Sequence, residues 1–124
     1  MRTILLAVIA AVGLIAWTTA ASAQDPAVVQ SRTVKVKFEN EKVRVLEAEL
    51  SLGTKEAMHS HPAGVVYVLS GAKLRFTYPD GRTEEKAAAT GETIWRESTT
   101  HAVENIGDTE AHAIAIDLKT SGQR

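Results

Sequence analysis

The chain has 124 residues, 44% of them hydrophobic, with 14 basic and 15 acidic side chains, four histidines and no cysteine. That length holds one domain, and a net charge of −1 gives no electrostatic case for nucleic acid or for an anionic membrane surface. Without cysteine there is no disulfide framework, no thiolate metal site and no lipid attachment at a thiol.

The N-terminus reads as an export signal. Arg2 precedes an apolar run, Ile4 to Trp17, and Ala21-Ser22-Ala23 follows. That is the layout of a secretory signal peptide over residues 1–23, cleaved after Ala23. A membrane anchor is the rival reading, but a span takes about 20 apolar residues. The mature chain then starts at Gln24 and is expected to be periplasmic or secreted, with no stable membrane insertion after cleavage.

Residues 24–39 are expected to form an N-terminal arm and first strand. Asp25-Pro26 reads as a breaker within an irregular arm. Thr33 to Phe38 alternates as a strand, with Val34, Val36 and Phe38 on one face. Val43 to Leu50 is a second strand, with Leu46, Ala48 and Leu50 on one side. Ser51 to Thr54 breaks it. Glu56 to Gly64 is an extended segment, and the apolar run Val65 to Leu69 suits a fully buried strand.

Lys73 to Tyr78 alternates again, with Leu74, Phe76 and Tyr78 opposed to Lys73, Arg75 and Thr77. Pro79-Asp80-Gly81-Arg82 is a reverse turn, because Pro presets φ and Gly accepts positive φ. Thr83 to Ala88 returns. Thr93 to Trp95 is short, Glu97 to Thr100 is a loop, and His101 to Asn105 is extended. Ala111 to Leu118 is the last strand, with His112, Ile114, Ile116 and Leu118 on one face, and residues 120–124 are a polar tail. Many short strands with frequent turns predict an all-β sandwich or barrel over residues 40–119.

His59-Ser60-His61 and His101 hold three of the four histidines. Residues i and i+2 of a strand share a face, so His59 and His61 point the same way. Imidazole ligates Zn, Cu, Fe and Ni, and a third histidine from a neighbouring strand completes a plausible coordination shell. His112 matches no such pattern and reads as a packed or hydrogen-bonded residue. Met58 reads as packing.

These residues resemble the cupin superfamily. Its first motif runs glycine, five residues, His-x-His, a spacer, glutamate, six residues, glycine. Here Gly53 precedes His59 and His61, and Gly71 closes the segment. The second motif ends in histidine, three residues and asparagine, here His101 and Asn105, with Gly91 one place out of register. Its usual proline and glycine are Arg96 and Ser98. The motif glutamate is missing: counting back from Gly71 lands on Gly64, and residues 62–68 contain no acid.

The resemblance implies a double-stranded β-helix, a jelly-roll barrel. It implies a divalent transition metal (Fe, Zn, Cu or Ni) on His59, His61 and His101, and a small-molecule ligand or substrate. Val66, Val68, Arg75 and Trp95 are candidates for the pocket wall. Gly53, Gly71 and Asn105 are expected to be structural, Asn105 by tying down its own turn. Loss of the motif acid leaves more open coordination positions, as catalysis needs, but removes the natural general base; Glu56, Glu97 and Glu104 are nearby alternatives. The chemistry stays open among dioxygenase, isomerase and lyase types, with a non-catalytic metal-binding or small-ligand module as the alternative. A homodimer through the Thr33–Phe38 edge is also expected.

Overall fold

The computed structural model describes residues 25–30 and 32–120. The signal peptide expected over 1–23, with its expected cleavage point, and most of the polar tail lie outside the described residues. The elements are α1 (Pro26–Val29), β1 (Val34–Glu39), β2 (Val43–Leu50), β3 (Lys55–His61), β4 (Gly64–Ser70), β5 (Ala72–Thr77), β6 (Thr83–Ala88), β7 (Thr93–Arg96), β8 (Thr99–Asn105) and β9 (Ala111–Leu118). They form two antiparallel sheets, β1-β2-β9-β4-β7 and β3-β8-β5-β6. Side chains from both sheets line one interior cavity.

The arm is not irregular throughout. Asp25 caps α1, its carboxylate accepting the Ala27 N–H at 2.9 Å, and Pro26 occupies the first turn, where a missing N–H costs nothing. The Asp-Pro pair that reads as a breaker is therefore a helix start. Arg44 donates to both Asp25 oxygens, at 2.8 and 2.9 Å, which pins the arm to β2.

β1 departs from simple alternation. The register with β2 slips between Val36 and Phe38, so Val34 lies opposite Ala48 but Phe38 opposite Val45. A bulge adds one residue and switches the face of everything beyond it. Val34 is buried, whereas Val36 and Phe38 are exposed; only the first of the three apolar residues reaches the core. Val34 packs there with Leu46 and Ala115.

β4 also differs from expectation. Gly64 and Val68 are buried, but Tyr67 and Leu69 are 45% and 40% exposed, so the apolar run has an inner and an outer face. Outward residues continue across the five-stranded sheet as a row, Phe38–Val45–Ile116–Val65–Trp95, in pairing register. On β9 the isoleucines belong to this outer side. The inward side of the same strand carries Ala111, Ala113, Ala115 and Asp117.

Gly64 marks a point of close approach. A Cβ there would lie 2.2 Å from the Ile116 carbonyl oxygen, so no side chain fits. Gly71 is similarly backed against the Ala88 carbonyl, at 2.4 Å. Asn105, 1% exposed, does more than close its own turn. It donates to the carbonyls of Leu50 (3.0 Å) and Thr109 (2.8 Å) and accepts the Gly107 N–H at 3.1 Å. Gly53 donates to the Asn105 carbonyl, so the turn after β2 is tied to the end of β8.

Candidate metal centre

The three histidines sit on two adjacent strands. In the β3–β8 ladder His59 lies directly opposite His101, and His61 follows two residues later on the same face. The ring centroids are 4.8 Å (His59–His61), 4.9 Å (His59–His101) and 5.4 Å (His61–His101) apart. One ring nitrogen from each falls within 4.8 Å of the other two. On the other face of the pair, Ser60 and Thr100 hydrogen-bond at 2.7 Å and hold the register.

Burial sets the protonation of the rings. Desolvation lowers His59 to about 4, against a favourable hydrogen bond to Ala57. It lowers His101 to about 3, with repulsion from His59 and His61 adding to the effect. His61 is lowered by burial, which outweighs the attraction of Asp117. All three rings are therefore neutral near pH 7, the form that ligates. In His59, Nδ1 lies 2.7 Å from the Ala57 carbonyl oxygen. The carbonyl can only accept, so Nδ1 carries the hydrogen and Nε2 keeps a free lone pair.

Behind His61 stands a second layer. His61 Nδ1 is buried without a hydrogen bond and faces Asp117 Oδ2 at 3.7 Å. Burial pushes Asp117 up, but His61 and the Arg96 guanidinium together hold it below its ordinary value. Arg96 bonds Asp117 and donates to the Pro62 carbonyl at 3.2 Å. A carboxylate behind a histidine fixes ring orientation and raises its basicity toward a metal.

The rings open on a cavity of about 600 Å³ whose wall is mostly apolar. Val66 and Val68 line it, as do Leu74, Phe76 and Ile94. Trp95 reaches only the rim: it is 54% exposed and its indole N–H donates to Glu97 at 2.7 Å.

Arg75 is not part of the wall, and its expected place there is corrected. Alternation on β5 turns Leu74 and Phe76 inward and Arg75 outward, where it pairs with Glu104 (2.8 Å) and Glu85 (3.1 Å). That pairing also removes Glu104 from the site. Glu97 is exposed at the mouth. Of the three alternative acids, Glu56 alone is buried, 6% exposed, and it lies along the cavity. Met58 is half-buried in β3. His112 faces away from the three rings and binds Glu47 at 2.9 Å.

Sequence reading missed Arg96 and Asp117. The signal was there: Asp117 shares parity with Ala111, Ala113 and Ala115, so an acid lies on the small-residue face of β9. Attention to the bulkier isoleucine face hid it.

Three neutral nitrogen donors fit a borderline divalent ion such as Zn²⁺, Cu²⁺, Ni²⁺ or Fe²⁺ better than a hard one. His59, His61 and His101 are the residues that would hold it.

No protein-family model matches the chain, and no curated protein matches it. Solved structures do. A cupin domain from Bordetella pertussis is 28% identical, covers 70% of this chain and 92% of its own, and superposes with a TM-score of 0.64. A double-stranded β-helix protein from Klebsiella pneumoniae is 16% identical, with coverages of 73% and 77% and a TM-score of 0.56. The polyketide cyclase RemF from Streptomyces resistomycificus is 21% identical, with coverages of 70% and 64% and a TM-score of 0.51.

Proposed function

Because the chain belongs to the cupin superfamily, we propose that it is a small exported metal-binding cupin whose three histidines present a divalent transition ion to a small organic molecule. The observation that carries this reading is the convergence of three buried, neutral imidazoles on the wall of a largely apolar cavity. Export rests on the residues 1–23 pattern.

When bound, such an ion supplies a Lewis acid or a dioxygen-activating centre, the chemistry of isomerase, lyase or dioxygenase reactions. The chain's own residues supply the rest. The valine, leucine and phenylalanine walls exclude water and seat the apolar body of the ligand. Arg96 holds Asp117, whose carboxylate faces the His61 ring at 3.7 Å and favours its approach to a cation. The same pocket used for capture without turnover is the alternative.

Elemental analysis of the mature protein from the periplasm tests the centre. About one Fe, Cu, Ni or Zn ion per chain is expected, lost in both His59→Ala and His101→Ala, since each removes one of only three nitrogen donors. No metal in the wild type after reconstitution would sink the reading. With metal in place, saturable ligand binding without turnover would select the capture alternative.

The reading includes a homodimer. β1 is an edge of the five-stranded sheet, and its exposed Phe38 begins the outer apolar row. A second copy of the same edge extends that row and caps the open backbone groups. Sedimentation should give twice the chain mass, and Phe38→Glu should shift it to one. A monomer at every concentration would refute the pairing.

A further inference from the structure

We infer that Glu56 supplies a fourth protein ligand to this centre, approaching beside His59 on the same strand. The inference rests on the metal-binding reading above and adds a donor that the motif does not place there.

The first observation is a bulge. In the β3–β8 ladder Glu56 pairs with Val103 and His59 with His101. Three steps on β3 thus match two on β8, and Ala57-Met58 contains the extra residue. Unbroken alternation would put Glu56 and His59 on opposite faces. The bulge turns both inward, which is how such irregularities re-aim side chains near functional sites.

The second observation is position. Glu56 Oε2 lies 3.7 Å from His59 Nε2, the nitrogen whose lone pair is free. Two donors each about 2.1 Å from one ion are that far apart at a bond angle of about 120°. The carboxylate lies outside the tight set made by the three rings. Ligation therefore needs a turn of the Glu56 side chain, and among the described residues no hydrogen bond opposes that turn.

The third observation is an unmet need. Glu56 is 6% exposed, and its one ion-pair contact among the described residues is His59, at 3.7 Å, beyond hydrogen-bond distance. A carboxyl this little exposed, lining the cavity with no hydrogen bond among the described residues, is costly and calls for an explanation. A cation between Glu56 and His59 is one. Meanwhile the place to which the motif count assigns the acid cannot take it: Gly64 has no room for even a Cβ. The next inward residue, Val66, is apolar. The acid lost from β4 is regained from β3.

Metal titration against a competing chelator tests this, using Zn²⁺ and Co²⁺ on the wild type, Glu56→Gln and Glu97→Gln. Glu56→Gln should still bind one ion per chain but at least about 10-fold more weakly, the smallest loss usual even for an outer-sphere partner. Its Co²⁺ absorption should change in position and intensity, while Glu97→Gln matches the wild type. Infrared difference spectra of the wild type should also show a carboxylate stretch displaced on Zn²⁺ addition, a readout that needs no variant to fold. Unchanged affinity and an unchanged Co²⁺ spectrum in Glu56→Gln would overturn the inference and leave the three-histidine centre standing. No binding by the wild type would instead remove the centre itself.

Discussion

Gly64→Ala is expected to cost more than about 4 kcal/mol, the range reserved for specific structural failures. The added methyl would lie 2.2 Å from the Ile116 carbonyl oxygen and 3.1 Å from the Asp117 Cα, and backbone cannot rotate out of the way. Gly64 pairs with Arg96 on one side and Asp117 on the other. Pushing β4 away from β9 therefore opens the middle of the five-stranded sheet and separates the two residues that support His61. Denaturant unfolding should show a large fall in midpoint, or no folded protein at all. A midpoint equal to the wild type's would mean that the two strands are not packed as described.

The metal-free protein is expected to lose stability on mild acidification. His59 and His101 have folded values near 4 and 3 against an ordinary 6.5. Unfolding releases them to bind protons, so their contribution is complete above pH 6.5 and is lost as pH falls toward those folded values. Glu56 works the other way. Burial raises it to about 7 from 4.5, so its contribution is complete below pH 4.5 and lost as pH rises through about 7. Between pH 6.5 and 4.5 two histidines outweigh one glutamate, and the unfolded state binds more protons. The net loss from these three groups is about 3 kcal/mol at one pKa unit per 1.36 kcal/mol, and His61, lowered by burial in the same sense, adds to it. Glu56→Gln removes the opposing group and should roughly double it. Urea midpoints of chelator-treated protein at several pH values measure both slopes. A flat or rising stability toward acid would show that the rings are not buried as neutral bases.

Where the β period runs unbroken, the sequence is nearly enough. β6 and β9 occupy the residues expected of them, because the turn signals Pro79-Asp80-Gly81 and Gly107-Asp108 mark where each begins. The His59–His61 pair points inward by the same rule. The failures fall where the period slips. One extra residue near Lys37 sends Phe38 outward, and one near Ala57 sends Glu56 inward. Neither slip has a local marker such as Gly or Pro in the sequence. The other failures concern which face is the inside. Val65 to Leu69 and the β9 isoleucines carry apolar groups that composition assigns to a core, yet part of that surface faces outward. Arg75 failed for a simpler reason: it meets Glu85 across the β5–β6 hairpin and Glu104 on β8, a strand distant in sequence.

The alanines on the inner face of β9 have a consequence for how this protein can change. One strand keeps two records on alternate residues. Its outward positions and backbone maintain the sheet, while Ala111, Ala113 and Ala115 are the unfilled part of a mould. Enlarging Ala111 or Ala113 alters which molecules fit and leaves the backbone pairing of the strand in place, whereas Ala115 is packed against Val34 and Leu46. The shape of the cavity can drift by single substitutions while the architecture and the three histidines are inherited intact.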